Sequence, residues 1–315
     1  MRICLMIEGQ EDVTWDQWVA IARACEEAGL EGLFRSDHYS SVMGVEGRGS
    51  LDAWATLAAL APLTERIRLG TLVSPVTFRH PSVVAKMVVT VDQVSRGRAE
   101  LGLGAGWLEA EHRAYGFPMP PTHERMDILE EQLEIVHRSW GSEIFDFQGR
   151  HYQVRGLGAL PKGAQQTHPN LLVGGRAGPR SAAMAARWAD EYNTVFASPE
   201  LCRQRRAAVA VAWENEGRAP ESLVFSLMTR GIVAETETEL VRRAAAVMDR
   251  TGDSGDPRAW LEEHDAEWAV GTVDRFADKL GQWEAAGVER IMLQHLAHTD
   301  LAMVALLGEV ARLVG

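Results

Sequence analysis

Cysteine, aromatic residues, basic charge and long apolar runs are all in short supply in this sequence. Its three cysteines, Cys4, Cys25 and Cys202, are odd in number and show no paired spacing. That excludes a disulfide scaffold and a cysteine metal clip, and it predicts reduced thiols in a cytosolic setting. Nothing approaches the ~18 consecutive apolar residues of a membrane span, and Arg2–Ile7 reads as a strand instead of the charged and apolar regions of a signal peptide. A cytoplasmic protein without a membrane partner is the expectation. Lys+Arg 32 against Asp+Glu 44 leaves a net charge of −12, which argues against a nucleic-acid footprint and leaves room only for a local basic pocket. H-E-x-x-H, a His-x-His after the first strand and G-x-S-x-G are all missing, so zinc and serine-nucleophile chemistries lack their usual signatures. What is there is a chain of 315 residues, 46% hydrophobic and 24% charged, an ordinary composition for a packed enzyme-like core.

Short apolar runs alternate with segments of 3.6-residue period, the pattern of strands feeding a parallel sheet through helices. Strands are expected at 2–7, 32–36, 67–73, 99–103, 170–173, 191–196, 223–233 and 290–294. Thr14-Trp-Asp-Gln17 and Thr236-Glu-Thr-Glu239 read as capping boxes, and Ser198-Pro199 as an N-cap with proline in the first turn. Met126, Leu129, Leu133 and Val136 mark one face of a helix running to about Trp140. Residues 142–169 read as an insertion after the fourth helix, and 252–271 as a polar insertion before the last strand. Eight such units, in a single domain over 1–315, predict an α/β fold, the (β/α)8 TIM barrel. A doubly wound sheet is the rival, since periodicity cannot see closure.

In a barrel the chemistry gathers just beyond the C-terminal ends of the strands. That rule selects Glu8 after the first strand, Ser36-Asp37-His38 after the second, Ser74 and Arg79-His80 after the third, Gly102-Leu-Gly-Ala-Gly106-Trp107 on the fourth, and Gly174-Gly-Arg-Ala-Gly178 after the fifth. Asp37-His38 is the best proton-handling candidate, because imidazole titrates near neutral pH. Adjacent residues of a strand point to opposite sides, however, so the two need not touch. Gly174–Gly178 links a strand to a helix start that suits a phosphate, with Arg176 or Arg180 to add charge, unless its glycines only make a tight turn. Trp107 follows a glycine loop and either stacks on a planar ring or simply packs. A metal-hydrolase barrel using His38, Glu8, His80, His123 or His295 is a rival of another class. His112, His137, His151, His264 and His298 read as solvated, and Trp15, Trp18, Trp54, Trp188 and Trp213 as packing between helices and barrel.

Five segments carry a family resemblance: 28–38 (AGLEGLFRSDH), 69–81 (LGTLVSPVTFRHP), 95–107 (SRGRAELGLGAGW), 111–117 (EHRAYGF) and 173–178 (VGGRAG). Together they make the chain resemble the bacterial luciferase-like flavin and deazaflavin oxidoreductases, and more narrowly the branch that depends on coenzyme F420. The resemblance implies a third strand ending in a bulge, often with a non-prolyl cis peptide, that presses on the back of the isoalloxazine-like ring. Leu72, Val73 and Ser74 match that bulge. His38 matches the strand-2 histidine that moves a proton, with Asp37 beside it and Ser36 in the same segment. Gly104, Ala105, Gly106 and Trp107 match the loop along the cofactor; Gly174, Gly175 and Arg176 match the phosphate site; Glu8 matches a strand end that faces substrate.

The resemblance therefore implies hydride transfer between F420 and a small organic substrate. Its alternative is a monooxygenase that uses FMN and takes reduced flavin from a partner reductase. It further implies a homodimer. A non-catalytic barrel is a third reading, disfavoured by His38 and the glycine loops. Loops 40–50, 142–169 and 252–271 are expected to cover the mouth.

Overall fold

Each expected strand forms, and the computed structural model describes all 315 residues. The strands are β1 (Arg2–Ile7), β2 (Gly32–Arg35), β3 (Arg68–Pro75), β4 (Ala99–Gly104), β5 (Phe145–Gln148), β6 (Gln153–Leu157), β7 (Asn170–Gly174), β8 (Glu191–Val195), β9 (Val224–Ala234), β10 (Ala269–Thr272) and β11 (Arg290–Gln294). The helices are α1 (Trp15–Ala28), α2 (Ala53–Leu60), α3 (Pro81–Ser95), α4 (Glu109–Tyr115), α5 (Thr122–Trp140), α6 (Pro179–Trp188), α7 (Pro199–Asn215), α8 (Glu237–Thr251), α9 (Pro257–His264), α10 (Val273–Ala285) and α11 (Leu301–Val314). Parallel pairing runs β1-β2-β3-β4-β7-β8-β9-β11 and returns to β1, so eight strands close into a (β/α)8 barrel and the doubly wound rival falls. The insertion after α5 contains the antiparallel β5–β6 hairpin. The one before β11 is more ordered than a polar loop: it supplies α9 and β10, and β10 extends the sheet along the upper half of β9.

Local signals work largely as the chemistry predicts. Thr14 and Gln17 make the reciprocal capping box of α1. Ser198 accepts the Leu201 amide at the start of α7. At α8 only half of the expected box forms, because Glu239 reaches back to the Glu235 amide instead of the cap residue's own. Trp18, Trp54 and Trp213 are buried as expected, whereas Trp15 is partly exposed.

Strand alternation sorts the core into two shells. Outward residues such as Ile3, Leu5, Leu33, Leu101 and Leu293 join the large cluster between barrel and helices. Inward residues Cys4, Met6, Phe34, Leu172, Met228 and Met292 form a separate apolar belt inside the barrel. Below the belt, Arg290 holds the floor. Its guanidinium donates to Glu100 at 2.7 and 3.0 Å and to Glu191 at 2.9 Å, and lies 4.9 Å from the Phe34 ring centroid. Arg68 adds a second partner to Glu100. Burial alone would raise the Glu100 carboxyl, but Arg290 and Arg68 outweigh it and hold it down at about 2. All three cysteines are free and buried, and burial pushes the Cys4 and Cys202 thiols up to about 12.

The third strand departs from regular pairing. The Leu72–Val73 peptide is cis, and the β3–β4 register shifts between Thr71 and Ser74. The resulting bulge turns half-buried Val73 toward its neighbours. A Cβ on Gly102 would lie 2.8 Å from Val73 Cγ1, one on Gly104 2.6 Å from Cγ2, and one on Gly174 3.1 Å from Cγ1. Gly104 and Gly174 make room for this valine, and Gly102 makes room first for the Thr71 carbonyl.

Two outcomes test this account. Arg290→Met leaves buried Glu191 without a cation and Glu100 with Arg68 alone, and should cost about 3–5 kcal/mol in urea denaturation; a loss below about 1 kcal/mol would contradict the floor's role. Gly104→Ala should cost about 1–3 kcal/mol by overpacking, and adding Val73→Ala should recover most of it. Strictly additive costs in that cycle would show that the two side chains do not compete for space.

Candidate active site at the barrel mouth

The C-terminal ends of the strands bring most of the expected residues to one mouth, but not with the pairings that sequence order suggests. His38 does not pair with Asp37. Its Nδ1 lies 2.8 Å from Oε2 of Glu111, a residue of α4 whose side chain is fully buried. The other Glu111 oxygen accepts the backbone amides of Tyr39 and of Ser40, the latter at 3.0 Å, so the carboxylate is anchored before it meets the imidazole. Burial would lower the His38 pKa, yet the hydrogen bond and charge of Glu111, with smaller help from Glu8 and Asp37, leave it raised above 6.5. The same pairing holds Glu111 below its usual range against its own desolvation. Nε2 of His38 has no protein hydrogen bond, and the Trp107 ring meets the imidazole edge-on at 5.7 Å. Trp107 itself is 60% exposed.

Asp37, read as a proton handler, is instead a buried anchor. Arg79 grips its two oxygens at 2.5 and 3.1 Å, and Ser74 Oγ donates to it at 2.6 Å. Extended backbone sends side chains 37 and 38 in opposite directions, which explains the division. Ser74, expected against the cofactor, is taken up by this network and also accepts from Trp54 Nε1 at 3.1 Å. The bulge thus offers Leu72 and Val73 to the mouth while its serine faces away.

Glu8 follows β1 with both oxygens occupied, by Gln10 Nε2 at 2.7 Å and Gln294 Nε2 at 2.6 Å. Ser36 Oγ donates to Gln10 Oε1 and accepts the Gly9 amide at 3.2 Å. Glu8 and Ser36 are therefore oriented by their neighbours, and Ser36 is nearly inaccessible.

The glycines divide by role. Gly104 and Gly174 clear space for Val73, as described above. Gly106 has φ +80° and sits against Pro75 and Thr77, while Ala105 packs on the main core. Gly175 is the close-approach position of the second loop: a Cβ there would lie 2.6 Å from the Tyr192 hydroxyl, which also accepts the Ala177 amide at 2.8 Å. Gly178 caps α6 without a side-chain hydrogen bond and Pro179 follows, so the first-turn amides of the helix face outward uncapped. Arg176 is exposed beside them. Arg180 is drawn off by Asp127 at 2.6 Å and Glu130 at 3.1 Å.

The residues of the metal-hydrolase alternative do not converge. His80 caps α3, and His295 is buried with Nε2 3.2 Å from the Asp300 carbonyl. Nor are all the remaining histidines solvated. His112 is buried between the Leu108 carbonyl and Thr77, and His298 is buried too, its pKa pushed down to about 4 chiefly by desolvation. Of the three loops, 40–50 is clamped over the mouth by Glu11, which accepts from Ser41 and from Arg48. Segment 142–169 only partly covers it. Tyr152 reaches Gln132 near the β3 end, but Gln165 runs to the barrel floor and contacts Arg68 and Asp92. A polar cleft of about 330 Å³ at that floor is lined by charges already paired with one another. Glu111 is the residue of this site that reading strand ends misses. It lies on a short helix 73 positions from His38, and only its place in the segment EHRAYGF hinted at it.

A family model described as Luciferase-like monooxygenase matches residues 4–290. The F420-dependent hydroxymycolic acid dehydrogenase of Mycobacterium tuberculosis (strain ATCC 25618 / H37Rv) is 29% identical over 277 residues, covering 85% of this chain and 75% of that protein. Among solved structures, the monooxygenase RslO1 from Streptomyces bottropensis superposes with a TM-score of 0.83 at 22% identity, over 98% of each chain. An F420-dependent secondary alcohol dehydrogenase in complex with an F420-acetone adduct gives a TM-score of 0.83 at 18% identity, over 100% of this chain and 99% of that one. With a barrel closed by eight parallel strands and a family match across most of its length, the chain belongs to the luciferase-like monooxygenase family.

Proposed function

We propose that the protein is an F420-dependent oxidoreductase that transfers a hydride between the deazaflavin and a small organic substrate, with His38 moving the accompanying proton. The observation that carries this reading is the His38–Glu111 pair: one ring nitrogen is fixed by a buried carboxylate and the other is left for substrate. That is the arrangement a proton-transfer histidine needs, since the first contact sets tautomer and orientation. The relative from Mycobacterium tuberculosis supports the choice of F420. The residues also fit a planar cofactor bearing a phosphate. Val73 and Leu72 offer an apolar wall, Trp107 an exposed ring, and Gly174–Gly178 an uncapped helix start with Arg176 beside it. Bound there, F420 would supply a two-electron hydride acceptor or donor. Nε2 of His38, which no protein group occupies, would take up or give the proton that accompanies such a transfer, for example the hydroxyl proton of an alcohol. Glu8, held by Gln10 and Gln294, faces the substrate side. The FMN alternative rests on the same fold, and a homodimer on the resemblance alone.

Parallel fluorescence titrations with F420 and FMN test the cofactor directly. F420 should bind and FMN bind weakly; the reverse would turn the reading to oxygen chemistry with a reductase partner. His38→Ala should keep F420 affinity nearly unchanged and lower turnover about 10²–10⁴-fold. Equal loss of binding and turnover would remove His38 from the chemistry. In Glu111→Gln the main opposition to desolvation of His38 is gone, so its NMR titration should move to lower pH. His38's share of the pair is complete below the ordinary histidine pKa and disappears as pH rises through its raised value, and Glu111's share is lost as pH falls through its lowered one. An unmoved titration would show that Glu111 does not set the charge.

A further inference from the structure

Ser226, Met228 and Arg230 occupy successive inward positions of β9. Ser226 bonds Asn193 inside the barrel, Met228 belongs to the apolar belt, and Arg230 follows at the mouth. Arg230 stands apart from the other arginines that line the barrel interior. Arg290 and Arg68 at the floor are each gripped by carboxylates. Arg230 is in no ion pair, and its one protein hydrogen bond is a long one, 3.4 Å from Nε to Gln294 Oε1. Its guanidinium lies 4.2 Å from the Trp268 ring centroid and 5.9 Å from that of Trp260, both supplied by the insertion before β11. Glu8 does not claim it, because amide donors already occupy both of its oxygens. Desolvation pulls the guanidinium down to about 10, against the smaller opposing pull of Asp253 and Glu8.

A guanidinium stays ionised at any working pH, and its planar fork matches a carboxylate at two points. Holding that charge half-buried on an indole face, with most donors unused, is costly unless an anion completes it. The surroundings are otherwise apolar: Phe196 packs against both the belt and the Trp260–Trp268 cluster, which Met43 also joins. We propose that Arg230 receives the carboxylate of the substrate, so that the enzyme acts on an organic acid with an apolar body. The assignment of that ligand as substrate rests on the oxidoreductase reading above; the anion site can be measured without it.

The test is calorimetric titration of the protein, alone and loaded with F420, with 4-phenylbutyrate and with 4-phenylbutan-1-ol. The carboxylate should bind about tenfold or more tightly than the alcohol. Arg230→Met should erase that preference and leave F420 affinity unchanged. Equal binding of the two probes, no measurable binding of the carboxylate, or a preference that survives in Arg230→Met overturns the proposal. A parallel fall in F420 affinity does so too, since it would make the guanidinium a cofactor contact. Should Arg230→Met not fold, Arg230→Lys carries the test: losing the fork should reduce the preference about fivefold, and an unchanged preference overturns the assignment. If the wild type prefers the carboxylate but does not bind F420, the cofactor reading falls and the anion site stands.

Discussion

The Arg290 guanidinium sets the terms for the rest of the barrel. It draws Glu100 and Glu191 onto one point at the strands' N-terminal ends, with Arg68 neutralising the remainder. Charges buried this way are stable only as a set, because any one of them left alone would face a desolvation cost that nothing offsets. With the floor's charges paired among themselves and the belt above filled by Cys4, Phe34, Leu172 and Met292, the barrel's axis is blocked from below. The asymmetry of the barrel is thus electrostatic before it is functional.

At the mouth, neighbouring residues are put to opposite uses. Asp37 and His38 share a peptide bond, yet one is locked between Arg79 and Ser74 while the other meets Glu111 and Trp107. The first pairing fixes the path of the chain beyond β2, and that fixed path presents the imidazole. The bulge on β3 divides its residues in the same manner, with Ser74 tied into the Asp37 network and Val73 set against glycines of β4 and β7. Rigidity on one side of the backbone makes a defined surface on the other.

The fold was largely legible because its signals are local. Alternating apolar runs located all eight barrel strands, and Thr14 and Ser198 marked helix starts by their side-chain oxygens. The order within insertions was less so, since α9 and β10 draw stability from packing Trp260 and Trp268 against distant residues. In the site, position at a strand end correctly brought Glu8, His38 and the glycine loops to one mouth. It could not tell a glycine that admits a ligand from one that admits Val73, nor foresee that Ser74 would face away. Partnerships such as His38 with Glu111, or Glu8 with Gln294 across 286 positions, depend on closure and are invisible to periodicity.

The buried thiols carry a practical consequence. Cys4 sits inside the barrel, Cys25 on the buried face of α1 and Cys202 on that of α7, and none reaches solvent in the folded chain. An alkylating reagent can therefore reach each only when its own part of the structure opens. Because the three lie behind different elements, the order in which they become labelled would record whether α1, α7 or the barrel itself loosens first, a timing device that requires no added probe.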